Sequence, residues 1–561
     1  MTGAEAGAEA RRQQALALEQ AGNRAGALAA IREAERLAPG RPEIHTSAGN
    51  ISLRGGQFDD AIASFERAVL LSPLPAVEPS INLAIALNRA GRPAAALGVL
   101  AQVADAGCRI PRYCSTRAGI ERSAGNLAAA QRWYDACLAL EPRHARARAG
   151  RARIALERSA DDAVDRYERA LEVEPGDPES WLGKALALEA QGRRDEARAL
   201  AGQLLAQAPH WLDALRLMAQ IRIAEGEEDF TRDYREAWAH RPGNQAIAIE
   251  WADTLSGLGR NEEALAVSES ALARYGDQSP FALITAIHAG LAGQHERAET
   301  LWSTLPANTP ERLLHEGRHR IRRKQPDRAA ALLEELVTLV PDNVAGWALL
   351  DVAWRILGNS RHQWLHGQEG LVAFRPLEGA DDLIERIEPV LDSLHDVSSI
   401  PLGQSVRGGS QTRGGLFDRD NSTLSELEAA IRRTLDTHRK GLPPHDSGHP
   451  LLRHRKAPWT IKGSWSVRLG AGQGAHVGHI HTEGVLSSAL YIRLPDAENG
   501  GELEIGRPAA DLETGLPPLT TLTPKRGWLA LFPSTLYHGT TPFAAGSRMT
   551  LAFDVTPVTR E

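Results

Sequence analysis

Along the first three-fifths of the chain, apolar and small residues recur with the three-to-four-residue beat of amphipathic helices, in units of about 34 residues closed by proline. The second unit is the clearest. Pro42, Gly49, Ala61, Phe65, Ala68 and Pro73 mark a helix start, a small contact on the first helix, a small contact on the second, an aromatic wedge, another small contact and a stop. The pattern returns near 111–142 (Ala118, Ala130, Tyr134, Cys137, Pro142), 144–175 (Ala163, Tyr167, Ala170, Pro175), 178–209 (Ala185, Ala197, Pro209) and 310–341 (Gly317, Ala329, Pro341). Residues 210–309 are more diverged and keep the helical beat, as at Ala264 and Ala298. Each helix pair lacks a core of its own until it stacks on the next, so the pattern predicts an extended, concave solenoid.

Beyond about residue 400 the pattern changes. Gly463 to Leu469, Val485 to Leu494, Gly501 to Ile505, Trp528 to Phe532 and Met549 to Val555 are short alternating or β-rich runs separated by Gly, Pro and Asp, which predicts an antiparallel sandwich or barrel. In the second run Leu486, Ser488, Leu490, Ile492 and Leu494 share one face, and Ser487, Tyr491 and Arg493 the other. In the last, Arg548, Thr550 and Asp554 oppose Met549, Leu551, Phe553 and Val555. Between array and strands, Trp347 to about Pro376, with Trp354 and Trp364, is expected to cap the solenoid. Asp381 to Leu394 and Thr423 to Leu435 read as amphipathic helices, the second opened by a Thr423-x-x-Glu426 capping box.

The 34-residue period with small residues at fixed offsets is the signature of tetratricopeptide repeats. The expected organisation is multidomain: an all-α tetratricopeptide solenoid over 1–345, capping and linker helices over 346–400, and an all-β domain over 401–561. A length of 561 residues agrees with more than one compact unit. The formal net charge of −7 is mild, and no basic stripe with stacking aromatics points to nucleic acid. The three cysteines, Cys108, Cys114 and Cys137, all fall in the repeats, which argues against a disulfide framework and fits a reducing cytoplasm. Neither a signal-peptide core nor a membrane-spanning run is present, so a cytoplasmic location without membrane contact is expected.

The chemistry concentrates near the end. His479 and His481 form a His-x-His pair, which on a strand places both imidazoles on one face; His538 follows, and then Arg548. Imidazole serves several first-row metals, and the arrangement that leaves positions open for oxygen chemistry is a facial triad, usually two His and one carboxylate. His476 is an alternative ligand or an ordinary loop histidine. His445, His449 and His454 read as a solvated, Pro-rich connection. Gly408-Gly409 and Gly414-Gly415 lack the order of a phosphate loop, and the 404–417 stretch reads as a loop or strand beside a pocket, where Arg407 and Gln411 either meet substrate or only fix the loop.

Taken in order, His-x-His, Ala489 to Ile492, Gly500 to Ile505, Pro524 to Ser534, His538 and Arg548 resemble the double-stranded β-helix, a cupin-like jelly roll, of the 2-oxoglutarate/Fe(II) oxygenases. Gln404 to Thr412, Gly463 to Leu469 and His476 to His481 are similar to recurring phrases of the bacterial oxygenases of that class fused behind tetratricopeptide repeats. The resemblance covers about residues 345–561. It implies that His479 and His538 ligate Fe(II), with His481 standing where most of the superfamily has Asp or Glu, and that Arg548, with Thr550 beside it, binds the distal carboxylate of 2-oxoglutarate. Tyr491, on the same interior face, is expected to add a hydrogen bond. No catalytic residue is expected beyond the metal centre.

The implied activity is a dioxygenase that uses Fe(II), O2 and 2-oxoglutarate to hydroxylate an unactivated carbon, with the repeat groove taking a protein or peptide substrate. A catalytically silent cupin-like scaffold, and a zinc-dependent hydrolase built on the same three histidines, are the alternatives. The hydrolase would have no well-placed general base and no use for Arg548.

Overall fold

Proline in the first helical turn and a left-handed residue between paired helices punctuate the chain from its start. The structure, a computed structural model, describes residues 3–558 apart from 242, 278–279, 381, 397–405, 408, 473–474 and 496–499. The side chains of Val406, Arg407 and Ala475 also lie outside that description, so the expectation for Arg407 does too. The chain divides into two compact units, 1–184 and 185–560.

The first unit is built of antiparallel helix pairs, such as Pro42–Arg54 with Phe58–Leu71 and Pro111–Ser123 with Leu127–Leu140. Gly22, Gly56, Gly91 and Gly125, spaced by one repeat, turn each pair with φ of 78°, 73°, 79° and 80°, a conformation that costs a residue with a Cβ. At the next such position Ser159 takes the same conformation, φ 50°. The aromatic wedges meet glycines, Phe65 within its own pair and Tyr134 on the first helix of the next. A Cβ on Gly49 would lie 2.6 Å from the Phe65 ring, and one on Gly150 2.2 Å from the Tyr134 ring, so wedge and glycine are one packing device. Cys114 and Cys137 are buried, Cys108 is exposed, and all three are free thiols.

In the second unit the helix pairs continue through the diverged stretch, with left-handed Gly226, Gly259 and Gly293 at the turns, to Pro310–Arg322, Pro326–Leu339 and Val344–Leu357. The β elements follow: β1 (Ala373–Pro376), β2 (Val406–Arg407), β3 (Gly409–Gln411), β4 (Trp459–Gly470), β5 (Ala475–His476), β6 (Leu486–Arg493), β7 (Leu503–Ile505), β8 (Thr520–Leu522), β9 (Trp528–Pro533), β10 (His538–Thr540) and β11 (Ser547–Pro557). One six-stranded antiparallel sheet has the order β1-β9-β6-β11-β4-β3; β10-β7-β8 and β2-β5 form two smaller sheets. This is the antiparallel architecture expected of a double-stranded β-helix with flanking helices.

Leu486 and Leu490 of β6 and Met549, Leu551, Phe553 and Val555 of β11 pack beneath the helices Leu383–Asp396 and Ser422–Gly441. That burial frees the opposite face of β11 for polar chemistry. Three local expectations change. The longer helix is capped by Asn421, whose side chain accepts from the Leu424 amide at 3.1 Å, one turn-start earlier than the Thr423 box. Residues 373–376, expected in the cap, are the edge strand β1. Arg493 does not share the Tyr491 face: the β6–β11 register slips between Met549 and Thr550, and Arg493 turns to Glu388 and Asp392 of the covering helix.

A second cluster bears on the site. Leu313, Leu333, Leu336, Trp347, Leu350 and Trp354 of the last repeat helices enclose Leu512 and Tyr537, and Ile480 packs against them. Arg318 and Arg322 of the same helices grip Asp511.

Candidate metal centre

The His479–His481 stretch is not regular strand. His479 forms an isolated antiparallel bridge with His538, each amide donating to the other's carbonyl, at 3.0 and 2.9 Å. That pairing brings their rings to 4.3 Å between centroids. His481 lies two residues on, with its ring 5.1 Å from His479 and 4.8 Å from His538. One ring nitrogen from each of His479, His481 and His538 falls within 4.8 Å of the others. The structure therefore brings together the three histidines singled out from sequence. His476 stands beside them, its ring 5.4 Å from His479 and its amide donating to Thr540 Oγ1, without joining the converging set.

The outward hydrogen bonds fix the tautomers. His479 Nδ1 meets the Val477 carbonyl at 2.8 Å and His538 Nδ1 the Leu536 carbonyl at 3.2 Å. A carbonyl only accepts, so both Nδ1 atoms carry the proton and both Nε2 atoms present lone pairs. His481 Nδ1 donates to Asp554 Oδ1 at 2.7 Å, which turns its Nε2 toward the other two rings. His479 Nε2 and His481 Nε2 are 3.1 Å apart. About 3 Å is the spacing of two imidazole nitrogens held ~2.1 Å from one first-row ion at a right angle. The donor set fits a divalent metal. Burial, then the neighbouring His481, pushes His479 down to about 4, and burial holds His538 well below the usual imidazole range, so both are neutral ligands at pH 7.

Asp554 is the residue sequence reasoning passed over. It was seen on the face of Arg548 and Thr550 but given no role, because its partner lies 73 positions away. Ser487 Oγ donates to it at 3.3 Å, so its carboxylate is itself held. Gly463, left-handed at φ 71°, falls opposite the register shift between Phe553 and Asp554 that sets this part of β11. Trp465 places its ring 5.2 Å from that of His481.

Arg548 is 3% exposed, and Nη2 donates to Tyr491 Oη at 3.4 Å while the guanidinium lies 5.1 Å from the Tyr491 ring centroid. Among the described residues, its Nε and Nη1 are buried with no partner. Burial lowers the Arg548 pKa, yet a guanidinium stays charged, so the site holds an uncompensated cation with two idle donors. Such a group can take a carboxylate through paired N–H donors. Thr550, next on the same face, is cross-strand from Tyr491. Of the remaining candidates, His449 is fully buried rather than solvated: its Nε2 donates to the Leu365 carbonyl and its Nδ1 accepts from the Leu451 and Leu452 amides. Gln411 lines a cavity beside Trp465.

Residues 463–554 match the family model described as "Putative 2OG-Fe(II) oxygenase", and residues 46–107 and 156–221 match two models described as "Tetratricopeptide repeat". No curated protein matches the chain. Among solved structures, the chain is similar to a tetratricopeptide repeat protein from Parabacteroides merdae at 15% identity, covering 56% of this chain and 98% of that one, with a TM-score of 0.32. It is similar to PilW, a widely conserved type IV pilus biogenesis factor, at 19% identity, 37% and 96% coverage and a TM-score of 0.34. It is also similar to YrrB, a repeat protein with an unusual peptide-binding site, at 18% identity, 30% and 86% coverage and a TM-score of 0.25. The C-terminal region is thus an oxygenase-family domain behind N-terminal tetratricopeptide repeats.

Proposed function

We propose that this chain, an oxygenase-family domain behind tetratricopeptide repeats, is a 2-oxoglutarate- and Fe(II)-dependent dioxygenase that hydroxylates a protein or peptide held by the repeats. The observation that carries the reading is the pairing of three converging imidazole nitrogens with a buried, under-partnered Arg548. His479, His481 and His538 would hold the iron. When bound, iron with O2 and 2-oxoglutarate supplies oxidative decarboxylation of the co-substrate and hydroxylation of a carbon.

The protein's own contribution is orientation. Three Nδ1–H bonds lock the imidazoles with Nε2 inward, and Asp554 lends His481 the negative charge that a carboxylate ligand at that position would bring directly. Arg548 would hold the far carboxylate of 2-oxoglutarate, while Tyr491 keeps Nη2 in place and Thr550 offers a hydroxyl on the same face. A zinc-dependent hydrolase would leave the two idle guanidinium donors without a purpose.

Anaerobic addition of Fe(II) and 2-oxoglutarate should produce the weak visible charge-transfer band of such complexes. His479→Ala and His538→Ala should abolish both the band and metal retention, whereas His481→Asp should keep iron. Full metal affinity after both alanine changes would overturn the ligand assignment.

A further inference from the structure

Trp465, whose ring lies beside His481, borders a cavity of about 410 Å³ whose walls come from different parts of the second unit. Gln220, on the repeat helix Leu212–Ala224, lines one side; Gln411, Arg413 and Gly414 line another, with Gly463 next to Trp465. Arg413 is the one ionic group in that lining, and its guanidinium is bonded to the carboxylate of Glu189, which is buried in the repeats. What is left facing the cavity is uncharged. The two carboxamides are each donor and acceptor at once, and no hydrogen bond ties either of them among the described residues. Gly414, Gly415 and Gly463 present bare backbone in a lining that also holds Thr412 and Ser464, which admits close approach of another backbone there. Gln411 ends β3, the last strand of the six-stranded sheet.

We propose that this cavity is the prime-substrate site and that Gln220 and Gln411 read main-chain amides of an extended polypeptide passing Trp465 toward the metal. The proposal rests on the oxygenase reading for the chemistry but on the cavity alone for the ligand class. A phosphorylated or carboxylate-bearing small molecule would find no unpaired cation there, because Glu189 already occupies Arg413. A peptide bond, with one donor and one acceptor, is the neutral complement of a carboxamide, and among the described residues β3 is the last strand of its sheet, an edge of the kind that pairs with extended chains. One carboxamide belongs to a repeat and the other to the sheet, so a single peptide would be fixed by both at once.

The test uses the full-length protein and a pool of random nonapeptides. Metal-free protein, immobilised, should retain a subset of the pool identified by mass spectrometry, and with Fe(II), 2-oxoglutarate and O2 the retained peptides should gain one oxygen. Combined Gln220→Ala and Gln411→Ala changes should cut retention roughly tenfold, the loss of two amide hydrogen bonds, while the circular dichroism spectrum stays that of the folded protein. Gln220→Glu, of the same shape, should weaken retention too, since a carboxylate has no N–H to give. Unchanged retention in these variants overturns the site. Succinate formation with no peptide retained or oxidised overturns the polypeptide while leaving the oxygenase reading intact. Variant-sensitive retention without any consumption of 2-oxoglutarate supports the site and removes the oxygenase reading instead.

Discussion

In the proposed iron site, the 2.7 Å hydrogen bond from His481 Nδ1 to Asp554 would let an imidazole stand in for a carboxylate ligand. Removing the carboxylate frees the ring to turn and to exchange tautomers. Asp554→Ala should weaken Fe(II) or Co(II) binding by about 10–100-fold in a competition titration, while Asp554→Asn, which can still accept, should lose less. At the other end of the site, Arg548→Ala should weaken 2-oxoglutarate binding by roughly 2–4 kcal/mol without loss of metal, as read by calorimetry. Unaltered co-substrate affinity would leave the guanidinium's idle donors without an explanation. His479, His481, His538 and Arg548 were legible in the sequence because their chemistry is rare at such spacing. Asp554 and Trp465 were not, because an acid or an indole on a strand has many ordinary uses and its partner is set only by the fold.

Strand and helix runs were legible where one face is greasy over several residues, as in β6, β9 and β11. Their ends and irregularities were not. The bridge at His479, the Asn421 cap and the slip that turns Arg493 toward Glu388 depend on cross-strand partners rather than on local pattern. The Leu383–Asp396 helix shows how such contacts matter. Its His395 is 2% exposed, with Nδ1 at 2.9 Å from Ser410 Oγ and Nε2 at 2.9 Å from Ser466 Oγ, so it ties the helix to β3 and β4. Burial lowers its pKa to about 4. The folded state thus favours the neutral ring, and the contribution is fully present above the unfolded value near 6.5. It is lost as pH falls from there through about 4, a span on the order of 3 kcal/mol. Urea unfolding should therefore show falling stability from pH 7 to 5, and His395→Gln should flatten that fall by about 2 kcal/mol. An identical slope in the variant would mean that other groups carry it.

For the molecule as a whole, the end of the repeat pattern near 345 and the end of the contacts are different things. Ile480, between two of the histidines, and Tyr537, next to the third, pack into the cluster made by Leu313, Leu333, Trp347 and Leu350. Arg318 and Arg322 hold Asp511, and Arg355 donates to the Gly506 and Pro517 carbonyls. Sequence periodicity finds the helices but not what leans on their outer faces. A chain beginning at Gly346 would lack Leu313, Leu333 and the two arginines, and would uncover Trp347 and Leu350. At ~1.5–3 kcal/mol for each large side chain returned to water, a few such losses rival the ~5–15 kcal/mol that holds a domain together. That truncated chain should aggregate or melt well below the intact protein and bind Co(II) poorly. A chain beginning at Pro178, which keeps the repeats of the second unit, should retain the metal site. Thermal melts and Co(II) titrations on both would decide it: if residues 346–561 alone bound metal with the affinity of the full chain, the last repeats would be a neighbour of the site rather than part of its support.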